Sequence, residues 1–161
     1  MNWWERFAEG LCEDFTDLPG PATIARVGTR LLVAALLGGV LGYERERAGK
    51  AAGIRTHVLV AVGAAMLVAG PLHAGMSTSD VSRIMQGIVT GIGFLGAGTI
   101  VKHHDPGHVG GLTTAAAVWM TAAIGMTAGL GREGLALVGT VLAFAVLMLL
   151  PHVPHAGNHH Q

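Results

Sequence analysis

Long apolar stretches, separated by short charged clusters, run from the first quarter of the chain almost to its end. Five of them, Ile24–Tyr43, His57–Gly75, Ile84–Val101, Gly110–Gly131 and Gly134–Leu150, contain no Asp or Glu. Each has about the length that crosses ~30 Å of hydrocarbon at ~1.5 Å of helix rise per residue. The pattern predicts five transmembrane helices. In the second, Pro71 and His73 are expected to end the helix early. The last two runs are separated only by Arg132 and Glu133, with Gly129, Gly131 and Gly134 around the pair, which predicts a tight antiparallel hairpin rather than one long helix. Ahead of the first run, Trp4, Phe7, Leu11 and Phe15 fall at helical spacing, with Glu5, Glu9, Glu13, Asp14 and Asp17 at other positions. This predicts a short amphipathic helix at the membrane interface, its tryptophans at headgroup level. Pro19-Gly20-Pro21 closes it.

The organisation expected is therefore an interfacial segment over residues 1–20, a transmembrane domain over 21–151 and a His-rich tail over 152–161. The connection Glu44–Thr56 carries Arg45, Arg47, Lys50 and Arg55, and Lys102 follows the third run on the same side. The opposite side holds Arg26, Arg30, Arg83, Arg132 and the acidic N-terminus. Because the basic cluster lies in the first loop, the positive-inside rule predicts an outside N-terminus and a cytoplasmic C-terminus.

Composition agrees with a lipid solvent. Apolar residues make up 51% of the 161 and charged residues 12%, half the ~25% of a soluble domain. The 25 glycines would weaken helices in water, but in lipid small residues let helices approach closely. Ten basic and ten acidic residues balance, which argues against the concentrated basic face of a nucleic-acid binder. Cys12 is the single cysteine, so no internal disulfide and no thiolate cluster is expected. No cleavable signal peptide is expected either, because the N-terminus is acidic and amphipathic.

The acid-free runs also bear on chemistry. Cation carriers usually place carboxylates at membrane depth, and Mg²⁺ prefers oxygen ligands and keeps several waters. A carbonyl-lined path stays open, but direct transport is disfavoured. Charges collect instead at the run ends. Glu44, Arg45, Arg55 and Thr56 form a polar cluster on the inner side, where Glu44 is expected to pair with Arg55 and Arg45 to stay free for a partner or for anionic headgroups. Asp80, Arg83 and Arg30 form its outer counterpart, with Asp80 pairing with Arg83 and reaching Arg30 if the first and third helices pack together. A boundary of snorkelling charges is the competing reading at both ends.

The third run is the densest in glycine. Gly91, Gly93, Gly96 and Gly98 are expected to mediate close packing or to line a cavity, with small residues four apart at Gly87/Gly91 and Gly93/Ala97 and again at Gly38/Gly42 and Gly125/Gly129. Gly139 is expected to tolerate substitution better. His103, His104 and His108 on one connection, and the histidines of the tail, are weak candidates for binding a metal such as Zn²⁺; otherwise they belong to polar segments without fixed geometry. No metal site, cofactor or nucleophile–base arrangement is expected.

The sequence Leu31–Tyr43 followed by Glu44-Arg45-Glu46-Arg47, then Gly53-x-Arg55-Thr56-His57, resembles the N-terminal membrane domain of the MgtC/SapB family. So do Asp80-x-x-Arg83-Ile84, Gly91-Ile92-Gly93-Phe94-Leu95-Gly96-Ala97-Gly98 and Gly111-Leu112-Thr113-Thr114-Ala115-Ala116-x-x-Trp119. The resemblance covers about residues 30–150 in order, and it adds Thr113, Thr114 and Trp119 as motif positions. Some members carry Asn where Thr113 stands, so an amide-dependent role does not transfer. Better-known members have a soluble C-terminal domain, and this chain is expected to be a short form without it.

The resemblance implies an all-α protein of the bacterial inner membrane, linked to adaptation to low Mg²⁺ and, in pathogens, to survival inside host cells. Members are often described as Mg²⁺ transporters, and regulation through another membrane complex, such as ATP synthase, is the competing family reading. The acid-free runs favour a non-enzymatic regulatory or interaction protein. Its expected partners are the lipid bilayer and another membrane-protein complex, with a homo-oligomer left open and no nucleic acid.

Overall fold

The computed structural model describes residues 2–14, 20–102 and 109–150. They form six helices: α1 (Trp3–Asp14), α2 (Pro21–Arg47), α3 (Ile54–His73), α4 (Thr78–Gly98), α5 (Leu112–Gly129) and α6 (Glu133–Leu149). Between α4 and α5, β1 (Val101–Lys102) pairs antiparallel with β2 (Val109–Gly110), a small ladder that the apolar pattern did not foretell. The regular structure of the described residues is all-helical apart from it. Among the described residues, α2, α3 and α5 are long and apolar enough to cross a membrane, and α6 is a shorter apolar helix.

Helix ends follow local chemistry. Pro21 opens α2, where a missing N–H costs nothing. At the end of α2, Gly49 takes a φ of 66°, its N–H reaching Glu46 O while the N–H of Lys50 reaches Arg45 O. Gly131 repeats this after α5, with a φ of 75° and paired bonds from Gly131 to Ala128 and from Arg132 to Thr127. Both are left-handed caps that favour glycine, and the second makes the α5–α6 hairpin that the Arg132-Glu133 pair predicted. Pro71 sits inside the last turn of α3, which continues to His73. The third run begins earlier than its apolar stretch, at Thr78, because Ser77 caps the Asp80 N–H.

α5 is the central helix, packed on α2, α3, α4 and α6. The interior is built from small side chains: Ala34, Ala61, Ala65, Ala69 and Ala128 are fully buried. Large apolar residues point outward, with Phe94 83%, Leu149 77% and Leu59 73% exposed. A water-soluble domain buries such side chains; a bundle with Ala inside and Leu and Phe outside suits a lipid solvent, where close backbone approach replaces hydrophobic collapse. On α1, Trp3, Trp4 and Phe7 are exposed and in contact, with ring centroids 5.7 Å apart in each neighbouring pair.

α4 packs chiefly on α5 and α3. The expected meeting of the first and third apolar helices does not form the outer cluster, because α5 takes the place beside α2.

Candidate functional site

Where α2 ends and α3 begins, the chain turns back on itself and brings Glu44, Arg45, Glu46 and His57 together. Gly42 makes the approach close. A Cβ there would lie 2.6 Å from Ile54 Cα and 3.0 Å from His57 Cβ, nearer than non-bonded carbons sit. Gly38, one turn earlier, would meet Ala61 Cβ at 2.7 Å. On the other side of α3, α5 presses just as closely: a Cβ at Gly129 would stand 2.6 Å from Ala65 O, and one at Gly125 would collide with Ala61 O. These four glycines clamp α3 between α2 and α5.

The clamp buries polar groups. Arg45 is 4% exposed and its Nε lies 2.8 Å from Glu44 Oε2, while the Glu44 side chain is 12% exposed. The N–H is not aimed at that oxygen: Glu44 Oε2, Arg45 Nε and Arg45 Nη1 are all buried without a hydrogen-bond partner among the described residues. The contact is an ion pair of good distance and poor direction. His57 is fully buried; its Nδ1 is 2.9 Å from Gly53 O and its Nε2 has no partner. A carbonyl oxygen only accepts, so Nδ1 carries a proton and Nε2 of the neutral ring is a bare acceptor. Arg45 and Glu44 are the charged side chains whose fields reach it.

Glu46 has a separate task. Its Oε2 accepts the Ile54 N–H at 2.9 Å, capping the start of α3 where an anion is favoured. Gly53 leaves the room, since a Cβ there would meet that oxygen at 2.5 Å. The expected Glu44–Arg55 pair is replaced by Glu44–Arg45, and Arg45, expected to be free, is buried. Arg55 and Thr56 are exposed. The turn between the helices rotates Arg55 away from α2 and turns His57 inward. Sequence reasoning missed Glu46 and His57; the available signal was an acidic residue shortly before a helix start that lacks a Ser, Thr, Asp or Asn cap.

At the opposite end the expected outer cluster splits. Arg30 donates from Nη1 to Gly129 O at 3.2 Å and sits 4.0 Å from Glu133, tying α2 to the α5–α6 turn. Asp80 keeps Arg83 at 3.7 Å, with the Arg83 side chain 80% exposed. Arg30 and Asp80 therefore serve different contacts.

Of the two roles expected for the α4 glycines, close packing is largely missing, while Gly91, Gly93 and Gly96 do line clefts. A Cβ at Gly91, Gly93 or Gly98 would meet nothing within 4 Å, and Gly96 alone of the four touches a neighbour, Ala115 at 3.6 Å. Gly139, expected to be the tolerant position, faces Met120 Cε at 3.4 Å. The packing glycines belong to α2 and α5. Gly91, as expected of a cavity glycine, lines with Gly87 an apolar cleft of ≈ 550 Å³ between α3 and α4, beside Leu59, Leu67 and Leu95, and Gly93 and Gly96 line a second one with Trp119. On α5, Thr114 is buried, Thr113 is exposed and Trp119 is 46% exposed. Among the described residues no three metal-ligating side chains come together; His103, His104, His108 and the tail histidines lie outside those residues.

The MgtC family profile matches residues 31–156, a range that includes the whole junction of α2 and α3 and leaves out Arg30. The chain belongs to the MgtC family. It is 43% identical over 129 residues to SrpB of Synechococcus elongatus, covering 73% of this chain and 71% of SrpB. It is 43% identical over 128 residues to YhiD of Escherichia coli K12, whose name proposes a magnesium transporter, covering 73% and 57%. It is also 45% identical over 129 residues to MgtC of Brucella abortus, covering 79% and 52%. The chain thus spans little more than half the length of YhiD and MgtC. No solved structure matches it. In this MgtC-family chain, the stretch Tyr43-Glu44-Arg45-Glu46-Arg47 combines a buried ion pair, a helix cap and an exposed cation within five residues. Membership makes it a membrane protein of a family with magnesium-related names.

Proposed function

We propose that this chain is a non-enzymatic regulatory or interaction protein of the bacterial inner membrane, tied to adaptation to low Mg²⁺ and to membrane-energy homeostasis. The observation that carries the reading is the absence of any Asp or Glu from the five apolar runs. The described buried carboxylate, Glu44, is already matched by Arg45, and the cleft between α3 and α4 is walled by apolar side chains. Neither offers a hard cation the oxygens it prefers. In this reading the chain works by presenting its surface to lipid and to a second membrane complex.

The topology proposed with it has α2 to α6 all crossing, the N-terminus outside, the connection between α2 and α3 in the cytoplasm and α1 flat on the outer interface. α4 spans ~31 Å and α6 ~25 Å at ~1.5 Å per residue, enough for hydrocarbon with slight local thinning. The exposed Trp3, Trp4 and Phe7 support the interfacial placement of α1.

A second reading, a Mg²⁺ or other cation transporter, is favoured by the name of YhiD. Purified protein in liposomes loaded with a Mg²⁺-sensitive dye separates the two. The regulatory reading expects no uptake above empty liposomes, with low-Mg²⁺ growth still restored by the same chain in a deletion strain. Saturable, protein-dependent uptake would overturn it.

A further inference from the structure

Four buried polar atoms at the junction of α2 and α3 have no hydrogen-bond partner among the described residues: Glu44 Oε2, Arg45 Nε, Arg45 Nη1 and His57 Nε2. Folded proteins pair such groups, and an orphan calls for an explanation. Two of these atoms are donors and two are acceptors, and they belong to one cation, one anion and one neutral ring. The set is charge-neutral with a vacant basic nitrogen in it.

We propose that His57 Nε2 is a proton-binding site, and that its occupancy decides whether the Glu44 carboxylate is held by Arg45 or by His57. Nδ1 is committed to Gly53 O at 2.9 Å, so a proton arriving from the adjacent aqueous phase has only Nε2 to bind. One N–H bond forms and no other covalent bond changes. The imidazolium is then a second cation competing for a single carboxylate. Glu44 Oε2 is the acceptor without a directed bond, and the Arg45 Nε–H at 2.8 Å is not aimed at it, so no directed hydrogen bond has to break when the carboxylate turns from Arg45 to the imidazolium. Arg45 gives up the anion beside it when it does.

The surroundings isolate the exchange. On α2 the charges near His57 are Glu44 and Arg45, and Glu46 is committed to capping α3. On α3 itself Arg55 is exposed and His73 lies at the far end. α5 has no ionisable side chain, and those of α4, Asp80 and Arg83, sit at its opposite end. Gly42 holds His57 against α2, so a change at the ring passes directly to the end of α2.

The test uses the full chain in lipid nanodiscs, with ¹⁵N-labelled histidine and arginine, titrated from pH 8.5 to 4.5. His57→Gln and Arg45→Lys difference spectra assign the two signals. The expected result is a His57 ring that carries its proton on Nδ1 at high pH, gains a second on Nε2 as pH falls, and moves the Arg45 Nε–H signal with the same midpoint. In Glu44→Gln the His57 ring should still titrate while the Arg45 signal no longer follows. A His57 ring protonated on Nε2 at high pH, a ring that never gains the second proton, or an Arg45 signal that stays still while His57 titrates would each overturn the proposal. The wild-type titration decides it even if a variant fails to fold.

Discussion

Replacing Gly42 by Ala adds one methyl group at the tightest described contact between α2 and α3. That carbon would lie 2.6 Å from Ile54 Cα, 3.0 Å from His57 Cβ and 3.2 Å from Gly53 O. Carbon pairs rest at about 3.5–4.0 Å, so the two backbones must separate by roughly 1 Å. A backbone atom cannot rotate aside as a side-chain tip can, and overpacking of this kind costs about 1–3 kcal/mol. Ala also favours helix over Gly by about 1 kcal/mol, which would mask part of the loss. Gly93→Ala supplies the correction. Gly93 also lies inside a helix, but nothing is within 4 Å of its Cβ position, so it carries the propensity gain without the clash. The expected difference between the two variants is about 1–3 kcal/mol, at tenfold in the unfolding equilibrium per about 1.4 kcal/mol. Reversible unfolding of both in mixed detergent–SDS micelles, followed by circular dichroism, measures it. A Gly42→Ala protein as stable as Gly93→Ala would refute the clamp.

Other outcomes follow from the same geometry. Glu44→Gln leaves the buried Arg45 without its anion and should cost about 3–5 kcal/mol, whereas replacing both members by Met should cost less; thermal melts of the single and double variants compare them. Glu46→Ala removes the cap on Ile54 and should lower stability by about 0.5–2 kcal/mol, and amide exchange should quicken in the first turn of α3 while α6 stays unchanged. Arg30→Ala cuts the tie to Gly129 O and should cost about 1.5–3 kcal/mol, against a few tenths for Arg83→Ala at its exposed pair; equal losses in melting experiments would contradict this ranking. For topology, cysteines at Lys50 and Ser77 in a Cys12→Ala background should differ in intact cells, with an impermeant maleimide reaching position 77 and not position 50. The reverse labelling would invert the orientation.

The number, order and approximate ends of the helices could be read from the chain because they depend on local facts. A run of apolar residues, a proline at its start or a glycine after its end constrains the same few residues that it describes. The lipid solvent was legible for a similar reason, since composition sums over the chain. Gly38/Gly42 and Gly125/Gly129 could be proposed as contacts from their spacing, yet so could Gly87/Gly91, which lines an open cleft. Spacing places small residues on one stripe of a helix. It does not say which neighbour, if any, that stripe faces.

That choice belonged to the tertiary structure. α5 lies beside both α2 and α3, so Gly125 meets Ala61, 64 residues away, and Arg30 reaches Gly129, 99 residues away. Each residue turns a helix by about 100°, so a small rotation decides whether a side chain is buried or bathed in lipid. Arg45 turned inward to Glu44, Arg55 turned outward, and His57 came to rest with one nitrogen bonded and the other bare. The sequence placed these charges at the ends of membrane helices; only the packing of three helices around Gly42, Ala61 and Gly125 decided which of them would meet.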